Sequence, residues 1–142
     1  MTPRFRVDGY LPEGLYHATE AQVTIRFGAL NQRRERLIFR VRRWVALARQ
    51  VGAIRLLIDG SFVTAKDKPN DIDAVILLPP NFKHQIQKGI KAALELKEML
   101  RIRRPEEIFA AEDETDWEDW IEFFSRTREA DGRRKGLVEI EL

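Results

Sequence analysis

The chain is 142 residues long, enough for one domain and too short for a multidomain polymerase or ligase, because single hydrophobic cores serve roughly 100 to 150 residues. It is 44% hydrophobic and 34% charged, with three Trp, eight Phe and two Tyr, a composition too apolar for a disordered tail. The lack of Cys excludes disulfides, thiol nucleophiles, iron–sulfur clusters and Cys-based zinc sites; the two His are far apart, and the formal net charge is +2.

No apolar run approaches the roughly 20 residues of a membrane span and the start lacks a signal-peptide core, so a cytoplasmic location is expected. Charge is segregated along the chain. From Arg33 to Arg49 there are seven Arg and one Glu, and from Glu106 to Glu122 nine acids and no base. An arginine-rich helix can bind phosphates or nucleic acid. It can equally be a solvated face, or pair with the acidic segment inside the fold.

Taken in order, residues 1–18 carry Pro3, Gly9, Pro12 and Gly14 and are expected to form an extended or looped arm. Thr19 and Gln22 fit a capping box for a short helix ending near Gly28. From Asn31 to Val51, Leu37, Val41, Trp44, Val45, Ala48 and Val51 recur at helical spacing, and Gly52 supplies a stop. Ala53 to Asp59 is predicted to be a buried strand, followed by a loop to Pro69. Asp71 to Leu78 is predicted to be a second strand, central in its sheet because it is apolar on both faces after Asp73. Asn81 is expected to cap a helix running to about Ile102, and Glu107 to Ala111 to form a strand. Thr115 and Glu118 suggest a capping box for a helix that buries Trp117, Trp120, Phe123 and Phe124. Leu137 to Leu142 alternates as a half-exposed strand does. The expectation is one α/β (α+β) domain over 1–142, with helices packed on a small mixed sheet of about four strands.

Gly60-Ser61, nine further residues, and Asp71-Ile72-Asp73 carry the chemistry. Strand side chains alternate in direction, so Asp71 and Asp73 share a face, their Cα atoms roughly 6.5 Å apart. Two anions in one cleft call for a compensating cation, and carboxylates without Cys or His favour Mg²⁺ or Mn²⁺. Gly60 lets the backbone approach an anion closely, and Ser61 offers an amide and a hydroxyl to phosphate oxygens. Lys66 and Lys68 in the loop could neutralise a triphosphate tail. The Walker A ending is absent.

Residues 53–78, AIRLLIDGSFVTAKDKPNDIDAVILL, resemble the signature of the DNA polymerase beta type nucleotidyltransferase superfamily: a strand, Gly-Ser, a loop, Asp-x-Asp and a second strand. The resemblance implies that Gly60 and Ser61 hold the triphosphate of an NTP, ATP foremost. It also implies that Asp71 and Asp73, with a third acid from the next strand, hold two Mg²⁺ ions. Glu107 is the nearest match for that acid, with Glu106 and Glu112 as alternatives. The implied reaction moves a nucleoside monophosphate to a hydroxyl of a protein or RNA acceptor, as in minimal members that sit in bacterial toxin–antitoxin pairs. Two other readings stay open: a catalytically silent binding or partner protein of this fold, and an RNA-binding protein using the Arg33–Arg49 helix.

Overall fold

The computed structural model describes residues 2–102 and 106–142, the Glu106 side chain excepted. In chain order the elements are β1 (Gly14–Ala18), α1 (Glu20–Phe27), α2 (Gln32–Val51), β2 (Arg55–Asp59), a 3₁₀ turn (Ser61–Val63), β3 (Ile72–Leu77), α3 (Phe82–Gln87), α4 (Lys91–Arg101), β4 (Glu106–Ala111), α5 (Glu114–Ser125) and β5 (Gly136–Ile140). They form a mixed α/β (α+β) fold on one open sheet of five strands, ordered β1-β5-β2-β3-β4. β1 runs parallel to β5 and β3 parallel to β4, while β2 is antiparallel to both its neighbours. Among the described residues no helix is long and apolar enough to cross a membrane.

Period-two alternation divides the core between the two sheet faces. Leu56, Ile58, Ala74, Ile76, Val138 and Ile140 pack with α1, α2 and α4, whereas Leu57, Val75, Leu77, Ala111 and Leu137 pack with Trp117 and Phe124 of α5. β3 lies between β2 and β4, in the interior position its two apolar faces predict.

The N-terminal region departs from the expected arm. Its last five residues are β1, an edge strand, and Leu11 is 1% exposed while its carbonyl accepts the Gly136 amide. This fifth strand covers the outer edge of β5, so β5 is buried along its length. Glu139, whose alternation suggests a solvent face, is 8% exposed. It accepts two hydrogen bonds from the Arg55 guanidinium, at 3.0 and 2.7 Å, which compensate its burial.

Three helix boundaries follow backbone chemistry. Thr19 and Gln22 form the expected capping box, at 3.1 and 3.0 Å. The single helix expected from Asn81 to Ile102 is two helices, because the chain turns at Gly89 with φ of 73° before α4 starts. The cap of α5 is Asp113, two residues before Thr115, and its side chain accepts the Asp116 amide at 2.8 Å.

Arg34, within the basic run, is 2% exposed. Its guanidinium donates to the carbonyls of Phe27 at 3.1 Å, Phe62 at 2.7 Å and Thr64 at 2.8 Å, and to that of Lys66, fastening α2 to the loop after β2. Arg34→Met should lower stability by about 3 kcal/mol, because it leaves several buried carbonyls without donors. Arg34→Lys should recover less than half of that loss, since a compact ammonium cannot span the same fork. Urea denaturation followed by Trp fluorescence measures both, and an unshifted midpoint for Arg34→Met would refute the role.

Candidate active site

The acids converge through strand register. Asp59 ends β2 directly opposite Asp73 on β3, and Asp73 is the register partner of Glu107 on β4. All three have the parity of Leu57, Val75 and Ala111, so they project from the face that carries α5, at one end of the sheet. Glu107 is thus the register neighbour of Asp73. Glu112 follows β4 at the opposite end, about 16 Å further along at about 3.3 Å per residue. The Glu106 side chain, the remaining alternative, lies outside the described residues.

Gly60 and Ser61 turn the chain against the start of β3. Gly60 has φ of 92°, and a Cβ there would stand 3.0 Å from both the Asp71 carbonyl oxygen and the Ile72 Cα. Only glycine fits this approach without strain. The Ser61 amide donates to Asp71 Oδ1 at 3.0 Å and its hydroxyl donates to the same oxygen at 2.5 Å, while the Asn70 amide donates to Ser61 Oγ at 3.0 Å. The structure brings Gly60, Ser61, Asp71 and Asp73 together as expected. It turns the Ser61 donors, expected to face phosphate, onto Asp71.

These residues line a cleft of about 1060 Å³. Lys66 lines it too, whereas Lys68 is exposed outside that lining. One wall is the N-terminal segment Val7–Tyr10, tied to the loop where the Ala65 amide donates to the Gly9 carbonyl at 2.9 Å. Another part of the wall is the C-terminal end of α5 and the residues after it, with Phe123, Arg126 and Arg128. Phe123, expected in the core, is 63% exposed there. Trp117 and Phe124, seven residues apart, define the inward stripe, and position 123 falls off it. Phe124 and Trp120 meet the Phe123 ring edge-on, at 5.1 and 6.0 Å between centroids.

The basic helix lies elsewhere, and three of its arginines are engaged. Arg34 is buried, Arg43 pairs with Glu95, and Arg49 pairs with Glu20 at 3.3 Å. The acids of 112–122 find other bases, Glu114 pairing with Arg55 and Glu122 with Arg126 and Arg134.

Two site residues escaped the sequence reading. Asp59 is 2% exposed, and Lys135 Nζ donates to both its carboxylate oxygens at 2.8 Å. The only hint in the sequence was a charged residue ending an apolar strand next to Gly60. Burial pushes the Asp59 carboxyl up to about 6, against the opposing pull of the Lys135 ammonium. Asp73 is pushed up to about 7, by burial first and then by the Asp71, Asp59 and Glu107 carboxylates, with Lys135 again opposing.

Among the described residues, no three acids or histidines stand as a ready metal-ligand set. Asp71 and Asp73 nevertheless suit a hard cation. Asp71 Oδ2 and both Asp73 oxygens carry no hydrogen bond among the described residues, and Asp73 is crowded by anions that a cation would offset.

The raised Asp73 carboxyl fixes the sign of a pH effect. Below the ordinary value of 3.8 both native and unfolded chains are protonated there; between 3.8 and about 7 the native state keeps a proton that the unfolded chain releases. The metal-free protein should therefore lose stability as pH rises through that window and level off above it. Asp73→Asn should remove most of this limb, leaving the part that Asp59 contributes between 3.8 and about 6, and raise the melting temperature at pH 8 in chelator. A parent and variant with parallel pH profiles would contradict the assignment.

A family model described as "Family of unknown function (DUF6932)" matches residues 3–141. No curated protein and no solved structure matches the chain. With nearly its whole length covered, the chain belongs to this family of unknown function.

Proposed function

We propose that this protein is a Mg²⁺-dependent nucleotidyltransferase that moves a nucleoside monophosphate from an NTP, ATP foremost, to a hydroxyl of a protein or RNA acceptor. The observation that carries the reading is the joint placement of the Gly60-Ser61 turn and the Asp71, Asp73 and Glu107 carboxylates at one end of the sheet, most of them lining one large cleft. In the reaction, the acceptor oxygen forms a bond to the α-phosphorus, the bond to pyrophosphate breaks, and the hydroxyl proton passes to solvent. The divalent cation, when bound by Asp71 and Asp73, lowers the acceptor's pKa and offsets charge on the departing pyrophosphate.

The chain's own residues supply positioning. Gly60 leaves room for a phosphate against the backbone. The Ser61 amide and hydroxyl, now on Asp71 Oδ1, are the donors a phosphate oxygen would take over once that carboxylate turns to a cation. Lys66 and Arg128 line the same cleft and suit the polyphosphate charge. Phe123 presents a buttressed aromatic ring on which a nucleobase can stack. A cytoplasmic setting and pairing with a toxin or antitoxin partner belong to this reading. A silent binding protein of the same fold is the second reading, favoured by the commitment of both Ser61 donors to Asp71.

Label from an α-labelled NTP should enter protein or RNA acceptors in cell extract, with Mg²⁺ or Mn²⁺ required. Asp71→Asn and Asp73→Asn should each reduce transfer by at least about a hundredfold, and Glu107→Gln should reduce it if that acid takes part, with the folded state checked by circular dichroism. Nucleotide binding without transfer of any base would select the silent protein. Phe123→Ala should weaken NTP binding about tenfold, or ~1.4 kcal/mol, while leaving inorganic tripolyphosphate binding unchanged. Equal weakening of both ligands would remove Phe123 from base recognition.

A further inference from the structure

Asp59, Asp71 and Asp73 at the cleft floor differ in what holds their oxygens. Both Asp59 oxygens are held at 2.8 Å by Lys135 Nζ, and the two side chains are 3% and 12% exposed. Asp71 gives one oxygen to the Ser61 amide and hydroxyl. Asp73, between them, accepts no hydrogen bond among the described residues. Lys135 is itself anchored, its amide donating to the Ser125 carbonyl at 2.9 Å just before β5 begins. Its ammonium is therefore delivered by the backbone to the acid directly opposite Asp73.

A centre with two divalent ions about 3.5–4 Å apart needs carboxylate oxygens on both sides. Here Glu107, on the other side of Asp73, does not line the cleft, and the oxygens on the Asp59 side already hold a monovalent cation. We infer that Lys135 is a built-in cation of the site, standing in for a second divalent ion, so that the centre binds one divalent cation per chain through Asp73 and the unoccupied oxygen of Asp71. The inference rests on the nucleotidyltransferase reading and departs from the two-ion centre that the sequence resemblance implies. Lys135 acts here as a positioning residue through Asp59.

The test counts bound Mn²⁺ by electron paramagnetic resonance in the full chain saturated with a non-hydrolysable ATP analogue. The parent should bind one Mn²⁺ per chain. Lys135→Met frees the Asp59 carboxylate and should bind two, and the double variant Asp59→Asn/Lys135→Met should return to one. If Lys135→Met folds only when Mn²⁺ is present, the ion is replacing the ammonium and the inference stands. If it stays unfolded in Mn²⁺ while the double variant folds, Lys135 is only the partner of a buried acid and the inference falls. A parent that binds the analogue with two Mn²⁺ overturns the inference and keeps the nucleotidyltransferase reading. A parent that binds neither Mn²⁺ nor the analogue overturns both.

Discussion

The loop that carries Gly60 and Ser61 buries Phe62 and Val63 in the core, and the buried guanidinium of Arg34 fixes its backbone. Its donors reach the Phe62, Thr64 and Lys66 carbonyls, and the Phe27 carbonyl at the end of α1, so one side chain ties two helices to the loop. Burying a guanidinium costs several kcal/mol unless its protons are satisfied, and backbone carbonyls in a fixed array satisfy a planar fork well. Phe62 adds its ring face, 5.7 Å from the guanidinium carbon. With that loop fixed, Ser61 can meet Asp71 and Gly60 can pass close to Ile72. The geometry of the cleft floor is thus set from the opposite layer of the fold.

A second constraint comes from the sheet. Pairing Asp59 against Asp73 places like charges on neighbouring strands, which is unfavourable in water and more so beside an apolar core. The fold relieves the repulsion unevenly. Asp59 receives an ammonium and Asp71 two hydrogen bonds, whereas Asp73 keeps its proton to near neutrality. The same crowding that destabilises these acids is what makes the site receptive to a cation.

Much of the fold could be read locally. The α2 stripe, the Thr19 capping box, β2 and β3 depend on residues within a few positions of each other, and each lies where its spacing predicts. What escaped the reading depends on partners distant in sequence. β1 reads as loop because Gly14 opens it, and only β5, some 120 residues later, makes it a strand. Adding β1 changes β5 from a half-exposed strand to a buried one and draws Arg55 onto Glu139, 84 residues away. Asp59 looked like a strand end until Lys135, 76 positions on, gave it a partner. The Gly-Ser and Asp-x-Asp elements were legible because their spacing is local. The commitment of Ser61 to Asp71 was not, because a side chain's choice between two acceptors leaves no trace in spacing.

The site lies at the end of the sheet for an electrostatic reason. After Asp73, β3 continues through Ala74, Val75, Ile76 and Leu77, all 1% exposed or less, with Val75 and Leu77 packed in the Trp117 and Phe124 cluster. An acid two residues further in would lie under that helix with neither water nor a donor, a far costlier place for charge. At the strand end the cleft is open, but the part of α5 that borders it is its C-terminal end, where the helix dipole places partial negative charge. That end repels a phosphate and cannot serve as an anion cradle. The chain surrounds it with base: Arg126 and Arg134 meet Glu122, Arg134 also donates to the Ser125 hydroxyl at 2.8 Å, and the Lys135 amide takes the Ser125 carbonyl. Attraction for an anionic ligand must therefore come from the Gly60-Ser61 turn, from Lys66 and Arg128, and from whatever cation Asp71 and Asp73 hold, so phosphate binding and cation binding at this site are two parts of one equilibrium.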